Sequence, residues 1–124
     1  MAGAKILIVD DDHDIRDLLA IRLRAEGYET AFAADAMTAI SVARHEEPDL
    51  ILLDLGLPGG TGLTVMERLK NFPALAHIPV LIVSARDPEL TEEAALAAGA
   101  RAFLHKPVDH RALLEAVHAS LQPD

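Results

Sequence analysis

The amino-acid sequence predicts an α/β fold: a doubly wound (βα)5 unit, with a five-stranded parallel sheet as the middle of three layers. Three observations carry this. Five short apolar or β-rich runs alternate along the chain with five longer amphipathic stretches. The runs Ile6-Leu7-Ile8-Val9, Leu50-Ile51-Leu52-Leu53 and Val80-Leu81-Ile82-Val83 are apolar without interruption, as in strands covered on both faces. Strict alternation of strand and helix implies right-handed crossovers between parallel strands.

Each element has a local cause. The first strand ends at Asp10-Asp11-Asp12. Ile15, Leu18, Leu19 and Leu23 then recur at helical spacing, with Leu18 read as core. Gly27 suits the end of that helix, because it tolerates positive φ. Residues 28–32 read as the second strand. Asp35 can cap a second helix through Arg44, with Ala36, Ala39, Ile40 and Ala43 inward. Pro48 punctuates before the third strand, which stops at Asp54. A loop rich in Gly and Pro follows, and Thr61 is placed to cap a helix carrying Leu63, Met66 and Leu69. The fourth strand spans residues 79–83 and ends at Ser84. Asp87-Pro88 has the form of a helix start, with a stop near Gly99. Residues 102–105 form the fifth strand. Asp109 caps a last helix whose inner face is Leu113, Leu114, Val117 and Leu121.

Composition narrows the function. The 124 residues suit one domain, expected to span 1–124, and are enough to bury a core without a staple. There is no cysteine, which removes thiol nucleophiles, thiolate metal sites and disulfides. The net charge of −9 and the 3% aromatic content argue against a nucleic-acid surface and an anionic membrane surface. No apolar run approaches a membrane span, and the N-terminus lacks a signal-peptide layout. A cytoplasmic location is the expectation.

In a parallel sheet of this kind the functional site lies beyond the carboxyl ends of the strands. The residues there are Asp10, Asp11, Asp54, Ser84 and Lys106. Three carboxylates brought together repel by a few kcal/mol per pair, about 4 kcal/mol at 4 Å and an effective dielectric near 20. A divalent cation that takes oxygen ligands offsets this, and Mg²⁺ fits best. Lys106 adds a fixed positive charge, and Ser84 adds a hydroxyl. Carboxylates, Mg²⁺, ammonium and hydroxyl together suit phosphoryl transfer, with one carboxylate as the nucleophile.

Read singly, these residues are unremarkable. An acidic triplet caps helices, and Asp12 is read in that way. Asp54 alone is a turn residue, Ser84 a loop serine, Lys106 a surface lysine and Phe103 plain core. The glycines from Gly56 to Gly62 are not followed by the Lys-Ser/Thr of a phosphate-cradling loop. The six histidines lack metal-ligand spacing and are read as surface.

In order, however, the strand ends resemble those of a response-regulator receiver domain of two-component signalling, from Lys5 to Leu121. The matching pieces are Ile6-Leu7-Ile8-Val9-Asp10-Asp11, Leu52-Leu53-Asp54-Leu55-Gly56-Leu57-Pro58 with Gly62, Pro79-Val80-Leu81-Ile82-Val83-Ser84-Ala85, and Phe103-Leu104-His105-Lys106-Pro107. The resemblance implies a flavodoxin-like sheet of strand order 2-1-3-4-5. It implies that Asp54 is the phosphoacceptor, and that Asp10, Asp11, Asp54 and the Gly56 backbone carbonyl hold Mg²⁺. Ser84 would be the switch hydroxyl, Phe103 the aromatic that turns inward with it, and Lys106 the partner of the phosphoryl oxygens. Lys106-Pro107 would be a cis peptide. The implied partners are a sensor histidine kinase or histidine phosphotransfer protein, and a downstream protein or an output domain. The domain itself would act as a monomer or weak dimer.

Three positions depart from the family pattern. Thr61 stands where Asp is common, Gly56 lacks the side chain many relatives place there, and Phe103 lacks a tyrosine hydroxyl. Gly56 and Arg86 occupy the positions linked to the lifetime of the acyl phosphate. Ile15 and Pro107 are placed to form an apolar rim for a phosphodonor helix. Two other classes were compared. A haloacid-dehalogenase-type phosphatase would place its nucleophile after the first strand and a second acid two residues later. Here the acid pair comes first, and Gly56 holds that second position. An unphosphorylated interaction module would have lost the acids or the lysine, and neither is lost.

Overall fold

The computed structural model describes residues 3–57, 62–85 and 88–122. Strands β1 (Lys5–Val9), β2 (Glu29–Ala33), β3 (Leu50–Leu53), β4 (Val80–Ser84) and β5 (Ala102–His105) form one parallel sheet in the order β2-β1-β3-β4-β5. Helices α1 (His13–Ala25), α2 (Ala36–Glu46), α3 (Gly62–Lys70), α4 (Pro88–Ala97) and α5 (His110–Leu121) alternate with them. Among the described residues, no helix is long and apolar enough to cross a membrane.

The uninterrupted apolar runs are explained by two cores. Side chains alternate across a strand, so Leu7 and Val9 enter one cluster while Ile6 and Ile8 enter the other. Ile51 and Leu53 of β3, and Val80 and Ile82 of β4, share the first cluster with inward residues of α2, α3 and α4. Leu50, Leu52, Leu81 and Val83 share the second with α1 and α5. The sheet is therefore covered on both faces, in three layers.

The helix ends follow side-chain and backbone chemistry. Asp12 accepts from the N–H groups of Asp14 and Ile15 and caps α1, as expected for the third acid of the triplet. Asp35 accepts from Thr38 N–H and Oγ1, which holds its carboxyl below the usual range. Asp109 accepts from Ala112 N–H. At the other end of α1, Gly27 takes φ 91° and donates to Arg24, while Tyr28 N–H reaches Leu23. This six-to-one bond satisfies a late carbonyl of the helix. It also engages Tyr28, so β2 starts at Glu29, one residue later than expected.

The remaining differences are small and have local causes. α2 continues past Arg44 to Glu46, ending where Glu47 adopts φ 50° just before Pro48. β4 begins at Val80 because Pro79 has no N–H, although the Pro79 carbonyl still accepts from Ile51. The caps expected at Thr61 and Asp87 lie outside the described residues.

Leu18 corrects the expectation of a core residue: it is 48% exposed. Leu19, Ala20 and Leu23 form the buried stripe of α1. Leu18 lies one helical step of ~100° from Leu19, on the flank that also carries Ile15 and Arg22. Arg22 Nη1 donates to the Val108 carbonyl at 2.9 Å and ties that flank to the segment after β5.

Leu113 of α5 is fully buried against β1, β3 and β4 residues of the second cluster. Leu113→Ala should lower the free energy of unfolding by about 2–5 kcal/mol, because the sheet behind it cannot collapse into the space. Urea denaturation of the two proteins measures the difference.

Candidate functional site

The sheet register sets out the site. The ladder runs one residue past the strands at three places. Asp10 N–H donates to Ala33 at 3.1 Å, Asp54 N–H to Val9 at 2.9 Å, and Lys106 N–H to Ser84 at 3.0 Å. Asp10, Asp54 and Lys106 are thus fixed to the carboxyl edge by backbone bonds before their side chains interact. Ser84 is the last residue of β4, paired in register with His105.

The side chains converge. Carboxylate oxygens of Asp10, Asp11 and Asp54 lie within 4.8 Å of one another. Asp10 and Asp54 are buried and Asp11 is exposed. Lys106 Nζ lies 2.8 Å from Asp10 Oδ2 and 3.5 Å from Asp54 Oδ2. Asp10 Oδ1 accepts from Asp12 N–H at 2.9 Å, and Asp54 Oδ1 from Gly56 N–H at 3.3 Å.

Burial pushes the Asp54 carboxyl above its ordinary range and the Asp10 charge adds to this, against the opposing pull of the Gly56 N–H and Lys106. For Lys106, burial disfavours the charged form. Its hydrogen bond to Asp10 and the charges of Asp54 and Asp10 outweigh that, so its pKa rises. The ammonium therefore stays charged at neutral pH.

Three carboxylates against one ammonium leave a formal excess of two negative charges, an amount that one divalent cation neutralises. The donors are all oxygen, and one of them faces solvent, so a hard cation that keeps some of its waters fits the site. The three acids form a group that could hold a metal ion.

The loop after Asp54 is held close. Gly62 N–H donates to Leu55 at 3.0 Å. A Cβ on Gly62 would lie 2.7 Å from the Asp54 carbonyl oxygen, so the start of α3 packs directly on the backbone that carries Asp54.

A family model described as the response regulator receiver domain matches residues 6–118. The chain belongs to that family. It is 43% identical to the response regulator PleD of Caulobacter vibrioides, over 86% of this chain and 24% of PleD. It is 37% identical to the phosphate regulon transcriptional regulatory protein PhoB of Pseudomonas aeruginosa, over 98% of this chain and 53% of PhoB. The chain thus spans between a quarter and about half the length of these curated relatives. Among solved structures, a putative response regulator from Chloroflexus aurantiacus superposes with a TM-score of 0.91 at 32% identity, covering 96% of this chain and 98% of that one. The chemotaxis protein CheY4 of Vibrio cholerae gives 0.89 at 29% identity, covering 97% and 100%. The receiver family and its flavodoxin-like strand order agree with the resemblance seen in the sequence, and the family implies phosphorylation-dependent signalling.

Every strand-end residue singled out in the receiver's sequence lies at this edge. Asp10, Asp11 and Asp54 are in mutual reach, Lys106 contacts Asp10 and Asp54, and Gly56 is bonded to Asp54. Phe103 is set back: it is buried in the first core cluster and pairs in register with Ile82. By alternation, Ser84, Phe103 and His105 share one face of the sheet. Lys106-Pro107 is cis. Arg86 lies outside the described residues. All six histidines are exposed, as expected. The sequence reading passed over His105, whose ring centroid is 5.0 Å from that of Phe103. Its i+2 spacing from Phe103 was the available signal; its place opposite Ser84 comes from the sheet register.

The raised pKa of Asp54 has a consequence for stability. A carboxyl whose folded pKa lies above its ordinary value of 3.8 binds its proton more tightly in the folded state. Wild-type stability then falls as pH rises through that interval, and the loss stays constant above the folded pKa. Asp54→Asn should therefore be the more stable protein at neutral pH without divalent cations. Its advantage should shrink as pH drops towards 3.8. Thermal denaturation of both proteins across that range checks the sign.

Proposed function

We propose that this chain is a phosphorylation-driven switch in which Asp54 accepts a phosphoryl group from a phosphohistidine of a sensor histidine kinase or histidine phosphotransfer protein. The observation that supports it most is the placement of the Lys106 ammonium, 2.8 Å from Asp10 and 3.5 Å from Asp54, beside the third carboxylate Asp11.

In the transfer, an Asp54 carboxylate oxygen forms a bond to phosphorus as the bond from phosphorus to the donor imidazole nitrogen breaks. The nitrogen leaves with the electron pair and the imidazole ends neutral. Asp10, Asp11, Asp54 and the Gly56 carbonyl would hold Mg²⁺, which when bound supplies positive charge to the transferring phosphoryl oxygens. Lys106 pairs with one of these oxygens, and the Ser84 hydroxyl donates to another. Burial of Asp10 and Asp54 strengthens each of these charge interactions. Reversal is slow attack of water on the acyl phosphate, with Gly56 offering no side chain to block the approach.

Phosphorylation adds nearly two negative charges at Asp54. Ser84 and Lys106 bind the new oxygens better in one arrangement of the segment after β4, and the population shifts by that difference. Phe103 lies on the same face as Ser84 and follows it inward. The output surface is then α4, β5 and α5, which controls a downstream protein or an output domain. The domain signals as a single unit over residues 1–124, in the cytoplasm, as a monomer or weak dimer, and does not itself bind nucleic acid or membrane.

The donor approaches over an apolar groove beside the site. Ile15, Leu18 and Leu19 of α1 line it together with Ala85, Pro107 and Val108, and Lys106 also lines it. The exposure of Leu18 gives this rim more apolar surface than Ile15 and Pro107 alone would supply.

Incubation with acetyl phosphate and Mg²⁺ should add one phosphoryl group to the intact mass, and Asp54→Asn should abolish the gain. An equal gain in the variant would overturn the assignment. For the groove, Ile15→Ala and Leu18→Ala should slow transfer from the cognate kinase by about tenfold each while leaving the acetyl phosphate reaction unchanged. Unchanged kinase transfer in both variants removes the docking role.

A further inference from the structure

A cleft of about 460 Å³ lies between α2 and α3 and shares no lining residue with the acidic cluster. Met37, Ile40, Ser41 and Arg44 line one side, spaced so that they share a face of α2, and Arg68 and Phe72 lie across it. A second cleft of about 390 Å³ continues from it, sharing Arg44 and Phe72. Ile40 is nearly buried and Phe72 packs on the first core cluster, so the floor is apolar. Met37 stands 73% exposed at one end, a flexible apolar side chain with nothing covering it among the described residues.

The charges here run against the rest of the chain. With 20 acidic and 11 basic residues, a surface arginine has an excess of carboxylates available to it. Neither the Arg44 nor the Arg68 guanidinium forms an ion pair or hydrogen bond among the described residues. Arg44 instead rests 5.1 Å over the Phe72 ring, which positions its guanidinium at the junction of the two clefts. Glu47 and Asp49 line only the second cleft. An apolar floor flanked by two cations is thus confined to the space between α2 and α3.

We infer that this groove docks an acidic amphipathic helix of a partner protein, at a surface separate from both the phosphorylation site and the donor groove. From Met37 to Arg44 the groove spans roughly 10 Å, about two turns of a helix. Apolar residues at i, i+3, i+4 and i+7 of the partner would lie along Met37, Ile40 and Phe72. Glutamates beside them would reach Arg44 and Arg68. A nucleic acid is disfavoured, because two arginines do not offset the repulsion of a net −9 chain for a polyanion.

The test uses a blocked helical peptide of about 14 residues with leucines at those four positions and glutamates on both flanks. It is titrated into the isotope-labelled chain and followed by amide chemical shifts. Saturable shifts centred on Met37, Arg44, Arg68 and Phe72 are expected. Arg44→Glu and Arg68→Glu should each raise the Kd about tenfold or more, and added salt should weaken binding. Both variants should still gain a phosphoryl group from acetyl phosphate, which shows that they fold. The inference is overturned if binding does not saturate, or if a peptide with lysine in place of glutamate binds equally well. Shifts centred on Ile15, Leu18 and Pro107 instead would also overturn it. Self-association through α2 and α3 without peptide would assign the groove to a second copy and likewise reject the proposal.

Discussion

The carboxyl edge of the sheet depends on one ammonium group. Asp10 and Asp54 are buried side by side, and taking two carboxylates out of water at such a separation is costly unless a positive charge accompanies them. Lys106 supplies that charge from the far side, 2.8 Å from Asp10 and 3.5 Å from Asp54. The unequal distances matter. The ammonium is committed first to Asp10, which leaves Asp54 the less compensated of the two buried acids. Burial raises the Asp54 pKa and the neighbouring Asp10 charge adds to this, more than the Gly56 N–H and Lys106 offset. A carboxylate held in this way has a standing electrostatic reason to exchange its surroundings for ones richer in positive charge.

The fold brings these charges together through backbone geometry. Asp10, Asp54 and Lys106 each continue a ladder by one bond beyond the strand that carries them. A slip of one residue in any strand would exchange the two apolar clusters, so the core enforces the register that the site requires. The same register places Ser84 opposite His105 and Ile82 opposite Phe103. Ser84, Phe103 and His105 therefore share one face of the sheet. Packing of Gly62 onto the Asp54 carbonyl closes the other side, since there is no room for even one added methyl group. Stability of the core and placement of the acids are one constraint seen from two ends of each strand.

Much of this was legible in the sequence, for a physical reason. Strands buried on both faces are apolar throughout, so each one announces where it stops, and the polar residues there stand at the carboxyl edge. Asp10, Asp54, Ser84 and Lys106 were readable in that way. Asp12 was readable as a cap because an acid directly before a helix has that use whatever lies around it. Leu18 was not. Four apolar residues on α1 fit a helical face, but spacing alone does not say how wide a stripe the sheet covers, and the covered stripe is Leu19, Ala20 and Leu23. His105 was missed because its significance depends on which residue lies opposite in β4. The end of α2 was missed because Glu47 adopts a left-handed conformation that glycine would have advertised.

The acidity of the chain separates into two kinds. Asp10, Asp11 and Asp54 form a cluster whose excess charge is local and can be neutralised by one divalent cation. The other acids are a solvated surface that discourages polyanions without specifying a partner. Against that background the informative charges are the positive ones, because each has a surplus of carboxylates to choose from. Lys5 takes Glu46, and Lys106 takes Asp10 and Asp54. Arg22 is bound to the Val108 carbonyl and lines the apolar groove beside α1. Arg44 and Arg68 take no carboxylate among the described residues and instead flank an apolar cleft. In an acidic protein, the cations that the chain leaves unmatched at an apolar surface are where charge complementarity with another protein has the most to gain.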